Sequence, residues 1–193
     1  EYPPGPVVDP TGRATGSKHV HRGGCWRCHF GLCSSASRGN DEPDLRNLSI
    51  GFRLVLSKTH NRITVPLDLP SDAKSLEMVQ IPAGEFVMGC PEDEEGRSDN
   101  YDWSPHHVTI TEPFYIGKHE ITQAQWRAVM GSIPSSLRII GDDFPVYSVS
   151  WNDCVAFIDA LNGMGYGRFR LSTEAEWEYA CRAGTMTRFH WGE

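Results

Sequence analysis

Turn-forming residues divide this chain into short pieces, and that division limits its fold more than any other feature. The 193 residues include 19 Gly and 13 Pro, spread along the whole sequence. Because Gly and Pro interrupt regular elements, a helical bundle is disfavoured. Hydrophobic residues make up 39% and charged residues 22%, which supports a buried core. The sequence therefore predicts a loop-rich α+β chain with little regular secondary structure.

Charge and hydropathy limit the classes of partner. Lys and Arg number 18 and Asp and Glu number 25, which gives a net charge of −7. An acidic chain without a basic stripe is a poor candidate for nucleic-acid binding. No apolar run approaches the length of a transmembrane helix, so no membrane partner is expected. The sequence begins at Glu1 and shows no signal peptide, so we expect a piece of a longer protein and leave its compartment open.

Capping patterns place three helices. A Ser or Thr before a helix accepts a hydrogen bond from a first-turn amide, and Gly ends a helix in the left-handed conformation. The predicted helices are 123–130 between Thr122 and Gly131, a second from Ser150 or Asn152 to Gly163 or Gly165, and a short third after Thr173 with Glu176 as capping-box partner.

Alternating apolar residues place the strands. Strands are expected over 50–56, 108–110, 114–116 and 146–149, and a hairpin is expected around the turn at Pro82, Ala83 and Gly84. Four tryptophans, Trp126, Trp151, Trp177 and Trp191, are expected to anchor the core. Glu174 and Glu178 share a helix face, which suits salt bridging better than acid–base catalysis.

Seven motifs resemble the formylglycine-generating enzyme family, also called sulfatase-modifying factors. The front of that domain is matched by IPAGEFVMG at 81–89, EITQAQW at 120–126, VSWND at 149–153 and RLSTEAEWEY at 170–179. The rear is matched by RGGCW at 22–26, PDLR at 43–46 and IGFR at 50–53. The resemblance implies the family's α+β fold, which is of the C-type-lectin-like type.

The two matched parts stand in inverted order. Residues 1–56 resemble the C-terminal segment of the domain, residues 57–77 are a linker, and residues 78–193 resemble the N-terminal segment. The family's middle, which carries its structural calcium ligands, is absent from the sequence. The domain is therefore incomplete or permuted, either as a circular permutation or as the tail and head of tandem copies. We expect the two parts to pack as one compact unit, since each alone would expose a sheet face and tryptophan residues.

The resemblance implies an oxidase site. Cys28 and Cys33 have the five-residue spacing of the family's copper(I) ligands, and His29 follows the first of them as in the family. Soft thiolates select Cu(I), and two-sulfur ligation leaves room for a substrate thiolate. The implied reaction uses copper and oxygen to convert a cysteine in a sulfatase peptide to formylglycine.

The implied substrate-binding residues are Cys25, Trp26, His29 and Ser49. Cys25 stands where the family has an active-site Ser, and Ser49 stands where it has Asn. Three alternatives remain open for the cysteines. By resemblance to non-catalytic relatives, Cys33 and Cys181 form a structural disulfide. The CWRCH run at 25–29 also fits c-type haem attachment, and Cys25, Cys28, Cys33 and His29 are zinc-type ligands.

Two further functions stand beside the oxidase. The first is a non-catalytic domain on the same fold that binds a protein or glycan through residues 27–35, as diversity-generating variable proteins do. The second is a structural module of a larger tandem protein. The iron-dependent sulfoxide synthases of the same family draw their ligands from a separate His-rich domain that this sequence lacks, so iron is not expected.

Overall fold

Among the residues that the computed structural model describes, nine short strands precede the first helix, and a second helix, a tenth strand and a third helix follow it. The structure describes residues 5–12, 15–25, 33–57, 64–65, 75–92, 94 and 104–192. The strands are β1 Val7–Val8, β2 His19–Arg22, β3 Arg38–Asp41, β4 Leu54–Leu56, β5 Thr64–Val65, β6 Leu76–Ile81, β7 Gly84–Met88, β8 His106–Ile110, β9 Phe114–Gly117 and β10 Phe169–Leu171. The helices are α1 Gln123–Met130, α2 Trp151–Gly163 and α3 Glu174–Arg182. The predicted α+β class is confirmed.

The chain forms two compact units, each assembled from separate stretches of sequence. The first unit contains Glu1–Glu42, Ala83–Glu112 and Thr173–Glu193, and the second contains Pro43–Pro82 and Pro113–Ser172. In the described ranges, no helix is both long and apolar enough to cross a bilayer.

A five-stranded antiparallel sheet organises the second unit. Its order is β10-β4-β9-β6-β5. Strand β4 pairs on one side with β10, through Val55 opposite Arg170, and on the other with β9, through Val55 opposite Ile116. A strand from the part resembling the family's rear therefore lies between two strands from the part resembling its front. The two parts share this sheet, although the chain forms two compact units instead of the one that was expected.

Helices α1 and α2 begin where the capping patterns predict. Thr122 and Gln125 form a capping box at the start of α1, and Gly131 ends that helix with φ of 81°. Ser150 and Asp153 form a capping box at the start of α2, which selects Ser150 over Asn152 as the cap. Each box satisfies amides that would otherwise lack partners at a helix end.

The core of the second unit lies between its sheet and these two helices. The aromatic rings of Phe52, Trp126 and Phe157 meet at its centre. Phe52 packs edge-on against Phe157 at 5.4 Å, and Phe157 stacks on Trp126 at 5.1 Å. Buried aliphatic side chains surround them: Leu54, Leu56, Leu76, Met78, Ile121, Val146, Val149, Ile158 and Leu161.

Two smaller sheets and α3 form the first unit. One sheet has the order β1-β8-β7, with β1 parallel to β8 and β7 antiparallel to it. The other is the β2-β3 pair, in which Arg22 lies opposite Arg38. Helix α3 starts at the predicted capping box of Thr173 and Glu176 and contacts both β2 and β7.

Three strand predictions are corrected. The hairpin around Pro82 is wrong, because β6 pairs with β9 over four positions and β7 pairs with β8 over five. These partners satisfy more backbone groups than a short hairpin would. The strand over 146–149 is wrong because Ser148 has φ of 57°, outside the extended region. Of residues 50–56, only Leu54–Leu56 form a strand.

The tryptophan prediction is only partly right. Trp126 is buried in the core, as expected. Trp151 is 37% exposed at the first turn of α2 and does not anchor the core. Trp191 is 62% exposed and stacks on Phe189 at 4.8 Å instead of entering a core.

Candidate functional site

Helix α3 carries a row of charged side chains that bind the strands next to the cysteine motif, residues 25–33. Glu174, Glu178 and Arg182 recur every four residues, so they share one face of the helix. Glu178 is fully buried, and the side chains of Arg182 and Arg22 are each 4% exposed. Carboxylates buried to this degree require charged partners, and these glutamates have them.

Glu178 binds an arginine on each side. Its Oε2 lies 2.9 Å from Arg22 Nη1 and its Oε1 lies 2.8 Å from Arg182 Nε. The Gly89 amide donates a further hydrogen bond to Oε1 at 2.9 Å, and Arg182 Nη2 donates to the Gly89 carbonyl at 2.6 Å. The prediction of salt bridging on this helix face is confirmed.

Glu174, one turn earlier, extends the network toward β2 and β3. Its Oε1 accepts from Arg22 Nη2 at 2.7 Å and lies 3.0 Å from Arg38 Nε. Arg22 and Arg38 are opposite each other in the β2-β3 pair, so one carboxylate joins both strands to α3. We call Arg22, Arg38, Glu174, Glu178 and Arg182 the arginine–glutamate network.

Arg22 also binds the chain that follows Cys33. Its Nη1 donates to the carbonyls of Ser35 at 3.3 Å and Ala36 at 3.1 Å. The Ser35 amide in turn donates to the Arg188 carbonyl at 2.9 Å. Residues 34–37 are buried even though three of the four are Ser, which agrees with this hydrogen bonding.

Gly23 follows Arg22 and packs against Trp177 of α3. Its φ is +99°, and a Cβ at this position would lie 2.9 Å from Trp177 Cζ2. The guanidinium of Arg22 lies 6.0 Å from the centre of the same ring. Glycine is required here both by the backbone conformation and by the approach of the indole.

The described cysteines of this unit differ in disulfide bonding and in burial. Cys25 is disulfide-bonded. Cys33 and Cys181 are half-buried free thiols, the second of them on α3, and Cys90 is buried. Burial raises the pKa of the Cys181 thiol, which lies 3.9 Å from Ser35 Oγ. Because Cys33 and Cys181 are both free, the alternative Cys33–Cys181 disulfide is not formed in this structure.

The remaining predicted site residues lie either outside the described residues or in the second unit. Cys28, Trp26 and His29 lie outside the described residues. Ser49 lies in the second unit, where its amide donates to Asn47 Oδ1 at 3.0 Å. The copper, substrate and calcium assignments therefore stay predictions.

The metal chemistry open to the described residues is limited. Among them, no three His, Cys, Asp or Glu side chains gather as a metal-binding group. Cys25, being disulfide-bonded, offers no thiolate to zinc and no thiol for haem attachment, which counts against both alternatives. Cys33 is a free sulfur donor and suits Cu(I), whose two-sulfur ligation needs only one further thiolate.

A cavity of about 230 Å³, which no sequence motif predicts, lies in the second unit. Charged and polar side chains line most of it, namely Arg53, Glu77, His119, Glu120, Gln125 and Asp143. No sequence motif contains these residues together, because they come from four separate stretches that only the fold brings side by side. The roles of Arg22 and Ser35 were missed in the same way, although the Arg of RGGCW was part of a recognised motif.

The chain is similar in sequence to two curated proteins and to one protein of solved structure. The chain is 46% identical to the formylglycine-generating enzyme of Bos taurus over 83% of this chain and 54% of that protein. It is 28% identical to the hercynine oxygenase of Mycolicibacterium smegmatis over 84% of this chain and 45% of that protein. The solved structure of PvdO from Pseudomonas aeruginosa is 30% identical, with a TM-score of 0.46 over 62% of this chain and 52% of that one. The chain spans about half the length of these curated relatives.

The family model decides the assignment. The model described as "Sulfatase-modifying factor enzyme 1-like domain" matches residues 68–193. That stretch contains all four front motifs and covers more than half of the sequence. The chain therefore belongs to the sulfatase-modifying factor family, as the resemblance of its motifs indicated.

Proposed function

We propose that this chain is a formylglycine-generating-enzyme-like domain that oxidises a cysteine of a sulfatase peptide to formylglycine. Cys28 and Cys33 are the proposed copper(I) ligands, and Cys25, Trp26, His29 and Ser49 are the proposed substrate contacts. Copper held by these residues would activate oxygen: the thiol-bearing carbon would give up two electrons and become an aldehyde, its sulfur would leave as sulfide, and a thiol reductant would supply the two further electrons that reduce oxygen to water. The observation that carries the proposal is a free Cys33 thiol, held at the second cysteine position of the motif in a chain of this family.

The role of the described residues is to hold that thiol. Cys33 is followed by the buried segment 34–37, whose carbonyls bind Arg22 and whose Ser35 amide binds the Arg188 carbonyl. A sulfur ligand attached to such a segment can be placed with little loss of conformational freedom on metal binding.

Anaerobic Cu(I) titration against a coloured chelator tests the metal site. The wild-type chain is expected to take up one Cu(I), and Cys33→Ser and Cys28→Ser are expected to lose it. Cys154→Ser is the matched control, because Cys154 is a free thiol buried in the second unit. Equal copper uptake by Cys33→Ser and Cys154→Ser would contradict the ligand assignment.

A second assay tests the reaction. A peptide with a sulfatase-type cysteine is incubated with the copper-loaded chain, oxygen and a thiol reductant. The aldehyde is trapped with a hydrazide and detected by mass spectrometry. Aldehyde formation that depends on Cys28 and Cys33 supports the oxidase. A chain that neither binds copper nor forms aldehyde, yet binds a protein or glycan through residues 27–35, would be the non-catalytic binding domain.

The inverted order of the two segments is part of the same proposal. It is supported by the pairing of β4 with both β9 and β10, which joins residues of 1–56 and 78–193 in one sheet. The transcript beyond residue 193 separates the two accounts. A second RGG motif downstream indicates tandem copies, and its absence indicates a permuted domain.

A further inference from the structure

Arg22 is linked to both ends of the cysteine motif, residues 25–33: its backbone leads into Cys25, and its guanidinium group binds the chain just after Cys33. It is the last residue of β2, three positions before Cys25. Through Nη1 it donates to the carbonyls of Ser35 and Ala36, two and three positions after Cys33. Its own backbone thus fixes the start of the motif, and its side chain fixes the end.

The same guanidinium is anchored to α3. Nη2 lies 2.7 Å from Glu174 Oε1, and Nη1 lies 2.9 Å from Glu178 Oε2. The side chain is 4% exposed, and the face of Trp177 lies 6.0 Å away. The two terminal nitrogens of this buried guanidinium are held by carbonyls on one side and carboxylates on the other, so the group has one orientation and the chain segments that it joins keep one spacing.

The planar fork of arginine is needed for this arrangement. Two carboxylates and two carbonyls lie around Arg22, and five donors in a fixed plane can meet them together. Lysine keeps the positive charge but concentrates its donors at one atom. An Arg22→Lys chain can therefore keep a carboxylate partner and still lose the Ser35 and Ala36 carbonyls.

We propose that Arg22 is the positioning residue of the cysteine motif, setting the place of Cys33 relative to β2 and α3. The positioning role itself does not depend on the proposed function. Only its consequence, the placement of a copper ligand, rests on that function. The inference concerns a residue that acts through the backbone next to Cys33 and has no part in the chemistry. Arg182 offers a matched comparison. It is equally buried and also binds Glu178, but its carbonyl partners are Gly89 and Thr187.

The test measures how fast iodoacetamide alkylates each thiol in the native, full chain, resolved by mass spectrometry of its peptides. Arg22→Lys is expected to raise the alkylation rate of Cys33 about tenfold, the effect of losing one charge-assisted hydrogen bond. Arg182→Lys is expected to leave the Cys33 rate near that of the wild type. Cys154, which is buried in the other unit, serves as the internal reference for global unfolding in every sample.

The outcomes separate the two proposals. A rise in the Cys33 rate with Arg22→Lys alone, at an unchanged Cys154 rate, supports the positioning role. Equal Cys33 rates in the two variants, or parallel rises at Cys33 and Cys154, would overturn it. Cu(I) affinity is measured on the same samples and is expected to fall about tenfold in Arg22→Lys. If the wild-type chain binds no Cu(I), the proposed function fails, and the thiol rates still decide the role of Arg22.

Discussion

Arg46 and Asp153, which are 107 positions apart, form a bidentate ion pair in the second unit. Arg46 Nε lies 2.7 Å from Asp153 Oδ2, and Nη2 lies 2.7 Å from Oδ1. One residue belongs to the PDLR motif of the first part and the other to the VSWND motif of the second. The hydrogen bonds from Arg46 lower the pKa of Asp153 to about 2, and hydrogen bonds from Ser150 act in the same direction.

The ion pair predicts a pH-dependent stability. A carboxyl group whose pKa is lowered by folding stabilises the native state above its unfolded pKa of 3.8. That contribution is lost as the pH falls through about 2. Asp153→Asn should therefore lower the urea midpoint at pH 7, and its difference from the wild type should shrink between pH 4 and pH 2. Asp159→Asn, at an exposed position of the same helix, should change the midpoint little at either pH.

Replacing Gly23 tests the packing of the cysteine motif on α3. Gly23→Ala is expected to lower the free energy of unfolding by about 1–3 kcal/mol more than Gly184→Ala does. Both glycines have positive φ, at +99° and +87°, so the backbone strain is similar. Among the described atoms, nothing lies within 4 Å of a Cβ on Gly184, whereas one on Gly23 meets Trp177. Equal losses in chemical denaturation would show that the indole contact contributes nothing.

Glu178→Gln tests the arginine–glutamate network. The variant leaves two buried guanidinium groups, Arg22 and Arg182, short of one negative charge. The expected loss in the free energy of unfolding is about 3–5 kcal/mol. The control is Glu77→Gln, which removes a half-exposed pair with Lys118 at 3.1 Å and should cost under about 1 kcal/mol. A loss at Glu178 as small as that at Glu77 would mean that the network does not stabilise the fold.

The aromatic centre of the second unit gives a fourth prediction. Phe157→Ala removes a fully buried ring that contacts both Phe52 and Trp126. The expected cost is about 3–5 kcal/mol, measured by urea denaturation followed through tryptophan fluorescence. Phe144→Ala, at a position that is 48% exposed, should stay within about 1 kcal/mol of the wild type. Comparable losses at the two positions would contradict the placement of this core.

Local signals were sufficient for the helices. Thr122, Ser150 and Thr173 each cap a helix through a partner three residues away, so the information lies within one turn of sequence. The salt-bridging face of α3 could be predicted for the same reason. The strand predictions were wrong where strand pairing depended on residues far away in the sequence. Both strands beside Pro82 pair with strands further along, and the left-handed conformation of Ser148 has no local sequence signal.

The sequence by itself determined the family, the α+β class, the helix ends and the cysteine motif, because each is written in short-range patterns of residue type. Only the tertiary structure decided that Cys25 is disulfide-bonded while Cys33 and Cys181 are free, and that Arg22 binds the chain after Cys33. It also decided that β4 lies between β9 and β10. Some of these relationships join residues that are more than a hundred positions apart. They depend on which buried charges and backbone groups can satisfy one another once the chain has folded.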